Sequence, residues 1–103
     1  MTDRFLQMLG IAAKAGKVVS GSFSAEKAIK ERKACLVIVS AEASENTKKH
    51  FSDMCAYRNI PIIFHARGAE LGKSIGKKDR ICAAVTDQGL SDKLISVLQE
   101  VAI

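Results

Sequence analysis

The sequence contains little cysteine, and none of it is arranged for a metal site or a redox motif. The three cysteines, Cys35, Cys55 and Cys82, are odd in number and far apart, and no C-x-x-C pair occurs. Zinc sites and redox motifs need closely spaced cysteine pairs. Each cysteine lies in or beside an apolar run, which favours a buried, reduced thiol that packs as a small hydrophobe. Such thiols are typical of the reducing cytosol, so we expect a cytoplasmic protein without a cofactor.

Motifs of catalysis and nucleotide binding are also missing. No G-x-G-x-x-G follows a predicted strand, and neither a P-loop nor a G-x-S-x-G nucleophile elbow occurs. His50 lies beside lysines on a predicted helix, which indicates a solvated position, whereas His65 ends a predicted strand and could face a cleft. A catalytic pair would need the fold to bring a histidine and a cysteine together. We predict a protein that is not an enzyme and has no small-molecule substrate, with a Cys/His active site as the minor alternative.

Long apolar runs are absent, since none approaches the roughly 20 residues that span a membrane. The start of the chain leads into an amphipathic stretch instead of the apolar core of a signal peptide. We therefore expect no membrane partner and no secretory leader.

The length and the net charge of the chain narrow the class of protein further. The chain has 103 residues, 48% of them hydrophobic, which predicts one globular domain over residues 1–103. The chain contains sixteen Lys and Arg residues and eleven Asp and Glu residues, which gives a formal net charge of +5. Such a surplus fits nucleic acid, through phosphate contacts and counterion release. It also fits ordinary solubility, so charge alone does not identify a partner.

The hydrophobic pattern predicts helices that alternate with strands. The predicted helices cover residues 4–15, 24–32, 44–59, 70–75 and 90–101, and the predicted strands cover residues 18–19, 35–39, 60–64 and 81–85. Alternation of this kind implies an α/β fold in which one sheet is covered on both faces, a three-layer α-β-α sandwich.

Local signals add detail to this prediction. Ser44 and Ser91 are expected to cap the third and the last helix. Glu26 and Lys30 have the i, i+4 spacing of a favourable ion pair on the second helix. Pro61 must lie at the start of its strand or on an edge, because it cannot donate to a sheet.

The segment around Gly21 is the strongest candidate for a binding site. A glycine and two serines, Ser22 and Ser24, precede a predicted helix that carries Lys27 and Lys30. Backbone N–H groups at a helix start bind phosphate or a base carbonyl oxygen, and lysines add phosphate contacts, with Lys17 just upstream. The alternative is structural: a serine caps the helix, the glycine makes a turn, and the lysines face solvent. The residues alone leave both interpretations open.

Two neighbouring features share this ambiguity. Phe23 beside the helix start is more often a hydrophobic staple against a residue one turn later, although it could stack on an unpaired base. The charged loop of Lys77, Lys78 and Arg80 is an ordinary solvated loop unless the fold places it beside the Gly21 turn.

A family resemblance runs through the whole chain. The segments that carry it, in order, are Leu9–Gly21, Lys27–Ile29, Leu36–Lys49, Asn59–Ile62, Glu70–Gly76 and Ala83–Asp87. In these segments the chain resembles the L-seven-Ae and L-thirty-e family of ribosomal and RNA-binding proteins, and within it the bacterial YlxQ group. The resemblance implies a four-stranded mixed sheet in an α-β-α sandwich. It also implies binding of kink-turn RNA, a sharply bent duplex with tandem sheared G·A pairs.

The same resemblance implies roles for individual residues. Gly21 matches the family glycine, Ser22 a small hydroxyl residue, and Lys27 a basic residue one turn into the helix that would lie in the RNA groove. Arg80 and Ile81 fall in the loop that would cover a flipped-out base. Family members typically carry Asn-Glu where this chain has Phe23 followed by Ser24.

That departure bears on specificity, because Ser24 cannot accept two hydrogen bonds from a guanine edge as a carboxylate does. A different RNA, weaker binding or loss of binding are all compatible with it.

The sequence thus predicts a non-catalytic, ribosome-associated protein that binds structured RNA as a monomer. The predicted partners are rRNA or another kink-turn-like RNA, and the ribosome. The alternative is a protein-interaction adaptor with the same fold. The predicted RNA-binding residues are Lys14, Lys17, Gly21, Ser22, Phe23, Ser24, Lys27, Lys30, Lys78, Arg80 and Ile81.

Overall fold

A computed structural model describes residues 3–102, with side chains up to residue 99, so both ends of the predicted domain 1–103 lie outside the described residues. Helices and strands alternate along this part of the chain, as predicted. The helices are α1 Arg4–Lys14, α2 Ser22–Lys30, α3 Glu45–Tyr57, α4 Gly68–Ser74 and α5 Gln88–Ala102. The strands are β1 Val18–Ser20, β2 Leu36–Val39, β3 Ile62–Phe64 and β4 Cys82–Val85.

The strands form one mixed sheet with the order β1-β4-β2-β3. Strand β4 pairs antiparallel with both β1 and β2, whereas β2 and β3 are parallel. Pro61 precedes β3, the edge strand, where its missing N–H costs no ladder hydrogen bond, as predicted. The four-stranded mixed sheet implied by the family resemblance is confirmed.

Helices cover both faces of the sheet. Val37 and Val39 of β2 pack with α2 and α3, whereas Leu36 and Ile38 pack with α1, α4 and α5. All four side chains are fully buried, which explains the uninterrupted apolar run of this strand. The three-layer α-β-α sandwich is therefore confirmed. Among the described residues, no helix is long and apolar enough to cross a membrane.

The helix starts show which capping predictions were right. Ser44 caps α3, because its hydroxyl accepts a hydrogen bond from the Thr47 N–H at 3.1 Å. The prediction for Ser91 was wrong. Helix α5 begins three residues earlier, where the Asp87 carboxylate accepts from the Leu90 N–H at 2.9 Å. Ser91 is buried inside the helix instead, and its hydroxyl has no hydrogen-bond partner in the described part of the chain.

Candidate functional site

The turn that joins β1 to α2 depends on Gly21. Its backbone dihedral angles, φ 89° and ψ 157°, belong to a region that residues with a side chain rarely adopt. A Cβ atom placed there would meet no described atom within 4 Å, so the backbone conformation and not crowding requires glycine. The Gly21 N–H donates to the carbonyl oxygen of Cys82 at 2.9 Å, which ties the turn to the start of β4.

The start of α2 presents uncapped backbone N–H groups. Gly21 occupies the capping position and has no side chain to cap with, and the Ala25 N–H is the first to donate to its carbonyl oxygen, at 2.9 Å. The N–H groups of Ser22, Phe23 and Ser24 therefore precede the first hydrogen bond of the helix. Both serines lie inside α2, so the alternative that one of them caps the helix is wrong. Together with the helix dipole, these groups favour an anion or a carbonyl oxygen.

The outer face of α2 carries an aromatic ring and two cations. Phe23, Lys27 and Lys30 are spaced i, i+4 and i+7, so they share one side of the helix, and all three are exposed. Phe23 is 80% exposed, so the prediction of a hydrophobic staple was wrong. The helix begins two residues earlier than predicted, which makes Phe23 its second residue and leaves the inner face to the buried residues Ala25, Ala28 and Ile29.

Lys27 and Lys30 form no ion pair with any residue that the structure describes. Within the described residues, no carboxylate lies within ion-pair distance of Lys27 or Lys30. The predicted pair between Glu26 and Lys30 does not form, because a Glu26 carboxylate oxygen lies 2.6 Å from Nε2 of His50 on α3. His50 is exposed, as predicted, but it bridges the two helices.

The loop between α4 and β4 lies beside the Gly21 turn. The Nε atom of Arg80 donates to the hydroxyl of Ser20 at 3.2 Å, and Ser20 immediately precedes Gly21. A second guanidinium nitrogen of Arg80 donates to the carbonyl oxygen of Asp79 at 2.9 Å. Arg80 therefore lies beside the Gly21 turn, and this proximity makes the charged loop a candidate for binding.

Helix α4 holds this loop in place through two glycines. A Cβ atom at Gly72 would lie 1.5 Å from the carbonyl oxygen of Lys78, so only glycine lets the loop backbone approach the helix. The Arg80 N–H donates to the carbonyl oxygen of Gly68 at 3.0 Å, and the Lys77 N–H donates to that of Gly72 at 2.8 Å. Sequence analysis missed this role, although the i, i+4 spacing of the two glycines is the signal for such an approach.

The remaining predicted residues lie around this centre at different distances. Lys17 precedes β1 and Gly21 follows it, so about 13 Å of extended chain separates them. Lys14 lies farther upstream and lines a groove between α1 and α4. Lys78 is exposed, and Ile81 is 39% exposed. The structure therefore brings Gly21, Ser22 and Arg80 together, and it leaves Lys14 and Lys17 at the far end of β1.

The arrangement of histidines and cysteines disfavours the minor catalytic alternative. The Nε2 atom of His65 lies 2.8 Å from an Asp3 carboxylate oxygen, and the ring packs edge-on against Phe5. Burial raises the pKa of the Cys55 thiol to about 11, and burial also raises the pKa of Cys82. These thiols stay protonated near neutral pH, where a thiol is a poor nucleophile.

Comparison with known proteins places this geometry in context. Residues 3–95 match the model of the ribosomal protein L7Ae/L30e/S12e/Gadd45 family. The chain is 46% identical over 91 residues to the RNA-binding protein YlxQ of Bacillus subtilis (strain 168), and the match covers 88% of this chain and 91% of that protein.

Solved structures show the same fold. A protein of unknown function from Bacillus halodurans superposes with a TM-score of 0.88 at 34% identity, over 95% of this chain and 99% of that one. The Giardia lamblia 15.5kD RNA binding protein superposes with a TM-score of 0.78 at 20% identity, over 99% of this chain and 91% of that one, which is a likeness in fold. The names of the YlxQ and Giardia proteins describe RNA binding and no catalysed reaction.

Proposed function

The chain belongs to the ribosomal protein L7Ae/L30e/S12e/Gadd45 family, and we propose on that premise that it binds structured, kink-turn-like RNA without catalysing a reaction. The binding site is the start of α2 after Gly21. One observation carries the proposal: the glycine turn that presents uncapped N–H groups lies beside the side chain of Arg80, and the helix that it starts carries Lys27, which forms no ion pair among residues 3–99.

Each part of this site has a separate task in RNA binding. Helix α2 enters a groove of the RNA, and the N–H groups of Ser22 and Ser24 donate to phosphate or base oxygens. Lys27 and Arg80 contact phosphates on either side of the turn, and the partly exposed side chain of Ile81 adds an apolar contact. A basic rim, made up of Lys14, Lys17, Lys30 and Lys78, attracts the backbone from farther away and adds to the salt dependence of binding.

The proposal extends to the cellular setting. We propose that the protein acts as a monomer in the cytoplasm and associates with the ribosome through rRNA. Its formal charge of +5 supports association with a polyanion.

A second candidate function is that of a protein-interaction adaptor. The observation that favours it is the pair Phe23 and Ser24, which replaces the Asn-Glu of typical kink-turn binders and exposes an aromatic ring. A fold does not fix a function, so the same scaffold can present this ring to a protein.

A titration separates these functions. The protein is titrated against a kink-turn RNA and a matched duplex without the G·A pairs, at about 50 mM and about 200 mM salt. We expect tighter binding to the kink-turn RNA at both salt concentrations. Equal and steeply salt-dependent binding to the two RNAs would contradict recognition of the bend, and no binding to either would favour the adaptor.

A further inference from the structure

Phe23 is the most exposed large hydrophobic residue in the described part of the chain. It lies in the first turn of a nine-residue helix, with 80% of its surface open to solvent. The inner face of α2 is filled by Ala25, Ala28 and Ile29, so the ring contributes little to the core. The ring is therefore available to a partner, and we expect Phe23→Ala to leave the fold intact.

We propose that Phe23 is a platform on which an unpaired RNA base stacks, and that it selects RNAs with an unstacked base at the bound junction. The proposal rests on the proposed function and specifies its ligand more closely. Aromatic side chains stack on single bases of RNA loops and bulges, whereas the bases of an intact duplex are already stacked on each other.

The surroundings of the ring favour a nucleic acid over a protein. Lys27 and Lys30 lie on the same side of α2, about 6 Å and about 10.5 Å farther along the helix axis. Neither forms an ion pair within residues 3–99. An aromatic ring followed by unpaired cations fits a base followed by its phosphates.

The chemistry of the first two turns also favours stacking over the reading of base edges. Ser24 has a hydroxyl where a carboxylate would be needed to accept from both donors of a guanine edge. The next carboxylate, that of Glu26, is engaged at 2.6 Å by His50. Stacking needs only the face of a base, so the predicted selectivity is for an unpaired base and not for a particular sequence.

The test combines one protein substitution with one RNA substitution. The probe is a kink-turn RNA whose bulge carries 2-aminopurine as the unpaired base, and its partner is the same RNA with an abasic site at that position. Phe23→Ala should weaken binding to the first RNA by about 5- to 150-fold and leave binding to the abasic RNA within about twofold of the unaltered protein. The fluorescence of 2-aminopurine should change on binding of the unaltered protein and not on binding of the variant.

Tyr57 provides the matched control, because it is an aromatic residue on α3 that is 78% exposed. Tyr57→Ala should leave affinity for both RNAs unchanged. If Phe23→Ala loses affinity equally for both RNAs, or for neither, the stacking proposal is overturned. Neither outcome would contradict the proposed function of RNA binding. If the unaltered protein binds neither RNA, the proposed function and the stacking proposal both fail.

Discussion

Helices α2 and α3 cover the same face of the sheet, yet they begin in opposite ways. Helix α3 is capped by the Ser44 hydroxyl, which accepts from the Thr47 N–H, and Glu45 adds a negative charge to its first turn. Helix α2 begins at Gly21 without a capping side chain and without an acidic residue in its first turn. A cap and an acidic first turn both stabilise a helix, so the sequence gives α3 two stabilising features that α2 lacks.

The lysines on the outer faces of the two helices also differ, because within the described part of the chain those on α3 form ion pairs and Lys27 on α2 does not. On α3, Lys48 lies 3.8 Å from a Glu45 carboxylate oxygen, and Lys49 lies 3.0 Å from one of Asp53. On α2, Lys27 has no carboxylate partner among residues 3–99. Among residues 3–99, α3 therefore satisfies one N–H group of its first turn and both of these lysines internally, whereas α2 leaves its first N–H groups without a side-chain cap and Lys27 without an ion pair. The comparison predicts that matched substitutions on the two helices have different consequences.

The largest effect is expected where α2 begins. Gly21→Ala should lower the free energy of unfolding by about 1–3 kcal/mol, because alanine is strained at φ 89° and ψ 157°. It should also weaken RNA binding, because relief of the strain reorients the first turn of α2. Denaturant titrations and RNA titrations below the unfolding transition measure the two effects separately.

Gly16 is the control for this substitution, since it has φ 76° and a Cβ atom there would also meet no described atom within 4 Å. Gly16→Ala should lower the free energy of unfolding by about 1–2 kcal/mol, because a left-handed backbone is strained for alanine, and it should leave RNA affinity unchanged. Equal loss of affinity in both variants would mean that strain in general, and not the Gly21 turn, controls binding.

Charge reversal on the two outer faces is expected to have the next largest effect. Lys27→Glu should weaken RNA binding by about tenfold, which is about 1.4 kcal/mol, and should flatten the dependence of affinity on salt, because it removes a phosphate contact. Lys49→Glu makes the same change in net charge on α3. If both variants lose affinity equally, only the net charge of the protein matters, and the site at α2 is wrong.

Loss of the cap of α3 is expected to have a smaller effect, and the effect should be on stability and not on RNA binding. Ser44→Ala should lower the free energy of unfolding by about 1 kcal/mol, because the Thr47 N–H loses its acceptor, and RNA affinity should not change. Ser22→Ala on α2 should leave stability within about 0.5 kcal/mol, because Ser22 is exposed and does not cap its helix. A large loss of stability in Ser22→Ala would show that its hydroxyl is structural after all.

The sequence was sufficient for the fold and insufficient for the geometry of the site. The apolar run of β2 and the alternation of helices and strands identified a sheet covered on both faces, because burial imposes those patterns directly. The sequence predicts the start of α2 two residues late, because serine is preferred over glycine as a capping residue and Ser22 and Ser24 follow Gly21. The same preference predicts a staple for Phe23, because a helix capped at Ser24 would have Phe23 just before its cap.

Contacts between residues that are far apart in the sequence also could not be predicted from it. The hydrogen bond from Arg80 to Ser20 joins residues 60 positions apart, and it depends on the close approach of the loop to Gly72 on α4. Likewise, the engagement of Glu26 by His50 replaced a local ion pair that spacing alone favoured. Such pairings follow from how the layers pack, which the local pattern does not encode.

The smallest effect is expected at the start of α1, which is capped by a group that titrates. The Asp3 carboxylate accepts from the Leu6 N–H at 3.1 Å and lies 2.8 Å from His65. Burial alone would raise the pKa of Asp3, but the hydrogen bonds from Leu6 and His65 outweigh it and lower the pKa from its ordinary value of 3.8. A pKa that is lower in the folded state than in the unfolded state means that the carboxylate stabilises the fold above that ordinary value.

This contribution should therefore disappear as the pH falls below about 4, and a neutral cap should show no such change. The free energy of unfolding of the unaltered protein should exceed that of Asp3→Asn at pH 6, and the gap should narrow on acidification. Ser44→Ala serves as the control, because a hydroxyl cap does not titrate and its loss should cost the same at every pH. A gap for Asp3→Asn that stays constant with pH would show that the Asp3 cap acts through hydrogen-bond geometry, as the Ser44 cap does, and not through its charge.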